Sequence, residues 1–198
     1  MNAVPRVPEL PPSAPRTGHA FGRWFGRSLL RLGGWRVYGR FPDLQRLVII
    51  VAPHSSGWDA VWGLAAKLAM GLDISFMAKA ELFRGPLGWL LRRLGGLPVD
   101  RQQPGGIVEQ SIASLREAEC RWFLLAPEGT RKPVERWKTG FWKIARGAGV
   151  PVFCAAFHYP ERRIELVTLF QPGEHLEADM AAIREIYRPF VGKNRGTV

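Results

Sequence analysis

Short apolar runs alternate along the chain with longer segments whose apolar residues recur at helical spacing. The runs are rich in β-branched and aromatic residues, which favours buried strands; they lie at 48–52, 74–78, 97–99, 122–126, 150–157 and 164–170. The helical segments lie at 20–33, 58–70, 85–94, 107–117, 141–148 and 178–190. Strands that alternate with helices at this spacing predict an α/β fold, with helices flanking a largely parallel central sheet.

The length of the chain fits a single domain. It has 198 residues, 46% of them hydrophobic, which is enough to bury a core without disulfide bonds. We place this domain at residues 41–198, a basic amphipathic segment at 19–40 and a flexible, proline-rich tail at 1–18. The two cysteines are far apart in sequence, so we expect no structural zinc site and a reducing compartment.

Residues 20–33 form a basic amphipathic helix when they are placed on a helical wheel. One side carries the apolar residues Phe21, Trp24, Phe25, Leu29 and Leu32, and the other flank carries Arg23, Arg27 and Arg31. Bulky aromatics beside arginines suit the interface of an anionic bilayer. The alternative interpretation is a helix that packs on the domain and holds its arginines in water.

The net charge of +11 predicts an anionic partner. The basic residues do not form a dense run, and no RRM, zinc-finger or helix-turn-helix pattern occurs, so we expect no nucleic acid partner. The longest apolar helix, Ala60–Leu72, is too short to span a bilayer and contains Lys67. The N-terminus lacks the apolar stretch of a secretory signal. We therefore expect a peripheral protein on the cytoplasmic side of the cell membrane.

The segment from Pro53 to Asp59 is the first candidate for chemistry. His54 follows a buried strand, and Asp59 lies one turn into the next helix. A carboxylate at this spacing can accept from one imidazole nitrogen, which leaves the other nitrogen to act as a general base. The alternative is a helix-capping arrangement in which Ser55 or Ser56 is the N-cap.

Two further polar groups follow apolar strands, and we expect them at the same edge of the sheet as His54. The first contains Glu128, Gly129, Thr130 and Arg131. Gly129 allows a tight turn whose N–H groups suit a phosphate or an oxyanion. The second ends at Arg101, whose guanidinium can bind a phosphate through two parallel hydrogen bonds.

Together these residues resemble the glycerolipid acyltransferase family, typified by 1-acylglycerol-3-phosphate O-acyltransferase. The family has four blocks in order: H-x-x-x-x-D, a segment that ends in an arginine, P-E-G-T-R and a V-P-[IV] strand. In this chain they are His54…Asp59, Gly96–Arg101, Pro127–Arg131 and Gly149–Val152. The resemblance covers about residues 45–160.

The resemblance implies a role for each matched residue. His54 corresponds to the general base that deprotonates a glycerol hydroxyl, and Asp59 to its orienting carboxylate. Arg101 and the block Glu128, Gly129, Thr130 and Arg131 correspond to positions that bind the phosphate of the acceptor. Family members take the acyl group from acyl-CoA or acyl-carrier protein, form no acyl-enzyme and need no metal or other cofactor. The chain agrees on one point, since it lacks a G-x-S-x-G nucleophile motif.

The sequence leaves the identity of the acceptor substrate open. Ala126 stands where family members often have an aromatic residue, and Lys132 where they often have serine. A lysophospholipid, lysophosphatidic acid or a lyso-aminolipid would each fit. A thioester hydrolase and a non-catalytic peripheral lipid-binding protein are the alternative functions.

Overall fold

The computed structural model describes residues 6–99 and 104–194. In this part of the chain seven strands form one sheet: β1 (Arg36–Gly39), β2 (Arg46–Ala52), β3 (Ile74–Lys79), β4 (Gly96–Val99), β5 (Arg121–Leu125), β6 (Val152–His158) and β7 (Arg163–Phe170). The α-helices are α1 (Ala20–Gly33), α2 (Trp58–Met70), α3 (Gly85–Arg93), α4 (Pro104–Glu117), α5 (Gly140–Ala148) and α6 (Leu176–Tyr187). A short 3₁₀ helix lies at Ala80–Phe83.

The sheet has the order β1-β7-β6-β2-β5-β3-β4. The five strands from β6 to β4 run parallel, whereas β7 pairs antiparallel with β6, and β1 pairs parallel with β7. The predicted α/β domain with a largely parallel central sheet is therefore confirmed. The sequence pattern did not predict β1, an edge strand of four residues.

Strand β2 lies near the centre of the sheet and is covered on both faces. Leu47 and Ile49 contribute to a core layer that includes residues of α1 and α2. Val48 and Ile50 contribute to the opposite layer, which includes residues of α4, α5 and α6. This two-sided burial explains the continuous apolar run in the sequence of β2.

The register of the sheet brings three loops to one edge. Ile50 of β2 is paired with Leu125 of β5, and Ala52 of β2 is paired with Ala156 of β6. Because these strands are parallel, the segments that follow each of them leave at the carboxyl edge of the sheet. Functional groups gather at such an edge in α/β folds.

The first described residues pack on the domain. Val7 and Ala14 are buried in the core layer that contains α1. The N–H of Val37 donates to the carbonyl of Arg6, and the N–H of Thr17 donates to that of Gly71, both at 2.8 Å. The flexible tail expected for residues 1–18 is therefore not what the structure shows for residues 6–18. The prolines of this segment restrict the unfolded chain, which lowers the entropic cost of ordering it.

Helix α1 packs on α2 through a narrow face of small residues. A Cβ atom on Gly26 would lie 2.5 Å from the Ala65 carbonyl oxygen and from the Ala69 nitrogen, so only glycine allows this approach. Leu30 is fully buried beside it. Most of the apolar face remains exposed, with exposed fractions of 75% for Phe21, 63% for Trp24, 47% for Phe25 and 86% for Leu32. Among the described residues, no helix is long and apolar enough to cross a bilayer.

Candidate active site

His54 and Asp59 contact each other as their spacing predicts. The loop after β2 turns back into α2, and His54 Nδ1 lies 3.2 Å from Asp59 Oδ2. The Asp59 side chain is 1% exposed, whereas the His54 side chain is 26% exposed. The buried carboxylate therefore lies at Nδ1 of a solvent-accessible imidazole. In such a pair Nε2 is the ring nitrogen that can exchange a proton with a substrate.

Asp59 also binds the loop that carries His54. The backbone N–H groups of Ser55 and Ser56 both donate to Asp59 Oδ2 at 2.8 Å. The N-cap residue of α2 is Gly57, which has no side chain to cap with, but the Ser56 hydroxyl oxygen accepts the N–H of Trp58, the first residue of α2, at 3.2 Å. Ser56 therefore contributes to the start of α2, while Asp59 fixes the loop and the imidazole with the same oxygen.

The structure places Glu128 beneath the loop of His54. Glu128 is 1% exposed, and its Oε1 accepts the backbone N–H of His54 at 2.7 Å. The sequence predicts Glu128 at the same edge of the sheet as His54, but it does not predict this hydrogen bond. A buried carboxylate that binds a backbone N–H orients the loop from which the imidazole extends.

The turn after β5 also has the geometry that its sequence predicts. Gly129 has a φ of +63°, which favours glycine, and its N–H donates to the Ala126 carbonyl at 3.0 Å. The Thr130 hydroxyl oxygen accepts the N–H of Lys132 at 3.3 Å. This turn therefore presents the following Arg131 at the carboxyl edge of the sheet.

Arg131 extends from this turn toward the loop of His54. A Cβ atom on Gly57 would lie 3.0 Å from Arg131 Nη1, so the guanidinium lies against the start of α2. Arg131 is exposed, so its guanidinium is accessible to a ligand. Arg101 lies outside the described residues. The structure thus places one of the two predicted phosphate-binding arginines beside the His54–Asp59 pair.

Two contacts at this site come from parts of the chain that the sequence analysis did not assign to it. The Tyr159 hydroxyl, just after β6, donates to Asp59 Oδ1 at 2.5 Å. Asn194 donates from Nδ2 to the Ser55 carbonyl at 2.8 Å. Tyr159 has a sequence signal in hindsight, because it is a polar residue that follows a buried strand. Asn194 has none.

A lysine lies beside the same loop. Lys193 Nζ is 5.0 Å from the centroid of the Trp58 ring, which is half exposed at the start of α2. Cations over aromatic rings are stabilised by the quadrupole of the ring. Lys193 and Arg131 thus give the exposed side of the His54 loop a positive charge. In the described residues, no group of three or more His, Cys, Asp and Glu side chains is arranged to hold a metal ion.

Comparison with known proteins agrees with this geometry. The Acyltransferase family model matches residues 36–158, which include β1 to β6 and the His54, Asp59 and Glu128–Arg131 positions. The chain therefore belongs to the acyltransferase family, and its relatives are of the glycerolipid type.

Two relatives and one solved structure illustrate the similarity. A 1-acyl-sn-glycerol-3-phosphate acyltransferase of Bacillus subtilis is 31% identical over 68% of this chain and 67% of its own length. One from Streptococcus pneumoniae is 31% identical over 53% of this chain, but the match spans 42% of that protein. The crystal structure of the 1-acyl-sn-glycerophosphate acyltransferase PlsC from Thermotoga maritima has the same fold. It superposes with a TM-score of 0.63 at 19% identity, covering 84% of this chain and 75% of that one.

Proposed function

We propose that the protein transfers a fatty acyl group from a thioester to the free hydroxyl of 1-acylglycerol-3-phosphate, a step of phospholipid biosynthesis. The contact of His54 Nδ1 with the buried Asp59 carboxylate, at 3.2 Å, carries this proposal. The names of the relatives favour lysophosphatidate as the acceptor. The donor is acyl-CoA or acyl-carrier protein, and no further cofactor takes part.

In this mechanism the acceptor hydroxyl lies beside His54 Nε2. The imidazole takes the hydroxyl proton as the oxygen attacks the thioester carbonyl carbon. Asp59 stabilises the imidazolium that results, as a buried carboxylate does in hydrolytic triads. The tetrahedral adduct then collapses, the C–S bond breaks, and the departing thiolate takes the proton from His54. One ester forms, one thioester is lost, and no acyl-enzyme occurs.

Thiol release from palmitoyl-CoA, measured with and without 1-acylglycerol-3-phosphate, tests the reaction. Release that depends on the acceptor, together with a diacylglycerol-phosphate product, is the expected result. Release that does not need the acceptor would identify a thioester hydrolase instead. No release from palmitoyl-CoA or palmitoyl-carrier protein, combined with binding of lipid, would leave a non-catalytic lipid-binding protein.

The exposed guanidinium of Arg131 supports a role in binding the acceptor phosphate. The resemblance assigns Arg101, Glu128, Gly129 and Thr130 to the same acceptor site. We expect Arg131→Ala to raise the acceptor KM about 10- to 100-fold, since a charge-assisted hydrogen bond contributes roughly 1.5–3 kcal/mol. The donor KM should change less than twofold. Steady-state kinetics with each substrate varied in turn measures both constants.

Arg136→Ala is the matched control, because it removes an exposed cation from the segment after the same turn. A second control is monoacylglycerol, an acceptor that lacks the phosphate. Arg131→Ala should affect its turnover little. Equal losses with both acceptors would rule out phosphate recognition by Arg131.

Helix α1 supports peripheral binding to the cytoplasmic side of the membrane. Its exposed apolar face would enter the interface, while Arg23, Arg27 and Arg31 line a groove of about 470 Å³. Contiguous exposed apolar side chains of this size commonly mark a membrane or protein contact. Because α1 packs on α2, whose first turn carries Asp59, docking of α1 would hold the active site near the lipid headgroups.

We expect Trp24→Ala/Phe25→Ala to weaken binding to phosphatidylglycerol vesicles by tenfold or more, because burying each side chain stabilises by roughly 1.5–3 kcal/mol. The melting temperature should not fall, since both side chains are exposed. Co-sedimentation with vesicles measures the binding. Leu169→Ala is the control, because it removes a half-exposed apolar side chain from β7.

The contribution of charge to membrane binding is tested at Arg31. Arg23 and Arg27 are less suitable, because they also donate hydrogen bonds to the carbonyls of Thr17 and Ala69. Arg31→Glu should weaken binding to anionic vesicles and leave binding to phosphatidylcholine vesicles unchanged, and salt should have the same selective effect. Equal binding of both variants and the parent to both kinds of vesicle would contradict docking through α1.

A further inference from the structure

Tyr159 binds the Asp59 oxygen that His54 does not use. Strand β6 lies beside β2 in the sheet, so the residue after β6 reaches the loop after β2. The Tyr159 hydroxyl donates to Asp59 Oδ1 at 2.5 Å, whereas His54 and two backbone N–H groups contact Oδ2. Both oxygens of the carboxylate are therefore held, each from a different side.

The ring of Tyr159 is fixed by its surroundings. It packs edge-on against the Trp35 ring, with centroids 4.8 Å apart and an interplanar angle of 83°. Trp35 is 2% exposed and stacks on Trp62, which in turn stacks on Trp58. The Tyr159 backbone N–H also donates to the Val191 carbonyl at 2.9 Å. The hydroxyl therefore has a defined position relative to Asp59.

The surroundings of Tyr159 hold its hydroxyl in the protonated form. Burial is the largest cause that raises the pKa of Tyr159 well above its usual value, and the hydrogen bond to Asp59 and the charge of Asp59 raise it further. A protonated hydroxyl beside a carboxylate can only donate to it. This donation favours the charged form of the carboxylate.

We propose that Tyr159 is a positioning residue for the acyl transfer, acting through Asp59 to hold the carboxylate charged and aligned with His54. It does not contact the substrate. The proposal rests on the proposed function, because it assigns His54 and Asp59 to the reaction. The charged and titratable groups that face this point in the described residues are His54, Asp59, Tyr159 itself and Glu128 on the His54 backbone, together with the cations Arg131 at the start of α2 and Lys193 over the Trp58 ring.

Tyr159→Phe removes the hydroxyl and keeps the ring that packs on Trp35. We expect kcat to fall about 10- to 100-fold, because the Asp59 carboxylate is no longer held in line with His54 and a misplaced catalytic group costs about this much. The acceptor KM should change less than twofold. Loss of the donor makes the His54–Asp59 pair as a whole more basic, so the acidic limb of the pH–rate profile should move to higher pH.

A double-mutant cycle with Asp59→Asn separates this effect from a general loss of structure. If Tyr159 acts through the Asp59 charge, Tyr159→Phe should lower kcat less than threefold in the Asp59→Asn background. Equal losses in both backgrounds would show that Tyr159 does not act through Asp59 and would overturn the proposal.

Tyr187→Phe is the matched control for a structural role. The Tyr187 hydroxyl is buried and donates to the Ile50 carbonyl at 2.8 Å, on the opposite core layer. Its loss should lower the melting temperature without moving the acidic limb. If Tyr159→Phe does the same, its role is structural alone and the proposal fails.

Two measurements keep the proposal testable if Tyr159→Phe is unstable or the parent lacks turnover. In a Tyr38→Phe/Tyr187→Phe background, which leaves one of the three tyrosines, incorporated 3-fluorotyrosine retains the ring and strengthens the donor. The acidic limb should then move to lower pH.

Titration of the His54 imidazole by NMR needs no substrate, and its midpoint should rise in Tyr159→Phe. An unchanged midpoint overturns the role of Tyr159, whereas an inactive parent chain overturns the proposed function.

Discussion

His54→Ala is expected to lower kcat by about 10²- to 10⁴-fold, the usual loss when a general base is removed. The fold should persist, because the His54 side chain is 26% exposed and its backbone N–H still donates to Glu128. Acceptor-dependent thiol release at saturating substrates measures the rate. Thermal unfolding followed by circular dichroism should show a melting temperature close to that of the parent.

His175→Ala is the control for this variant. His175 is exposed at the start of α6 and makes no side-chain capping bond there. Its replacement should leave kcat unchanged. A His54→Ala protein that turns over at the parent rate would show that another group takes the hydroxyl proton.

The sequence predicted the elements of the parallel core well, because their patterns are local. Helix α2 has the predicted bounds, Trp58–Met70, since Gly71 follows it in the left-handed conformation and ends it. The short edge strand β1 was missed because Arg36–Gly39 contains one buried residue, too few to show a pattern. The antiparallel pairing of β7 with β6 could have been predicted, because the gap between their apolar runs, 158–163, is too short for a parallel crossover.

The residues of the site also differ in whether local sequence or the fold brings them together. His54 and Asp59 are five positions apart in the chain, so the sequence alone placed them together. Tyr159 and Asn194 reach Asp59 and Ser55 across separations of 100 and 139 residues. Those contacts follow from the order of β2 and β6 in the sheet and from where the chain returns after α6. The sequence signals only that Tyr159 is a polar residue after a buried strand, and it contains no local signal for Asn194.

A loss of kcat as large as that of His54→Ala is expected from Asp59→Asn. The amide oxygen can take the place of Oδ2 and accept from Ser55 and Ser56, while the NH₂ group faces the Tyr159 hydroxyl. The fold should therefore survive. The charge that stabilises the His54 imidazolium is lost, so kcat should fall about 10²- to 10⁴-fold, as in hydrolytic triads that lose this carboxylate.

Asp59→Ala should lose stability as well as activity. Comparison of Asp59→Ala with Asp59→Asn therefore separates the catalytic role of the Asp59 charge from its structural role in the loop. Without an acceptor, the buried N–H groups of Ser55 and Ser56 each cost about 1–3 kcal/mol, so the melting temperature should fall clearly. Asp179→Asn is the control, because Asp179 also accepts a backbone N–H, from Gly173, and a side-chain N–H, from Trp142. Asp179→Asn should change the stability of the protein and leave kcat unchanged. If Asp59→Asn kept the parent kcat, the carboxylate would serve only to fold the loop, and His54 would act without a charged partner.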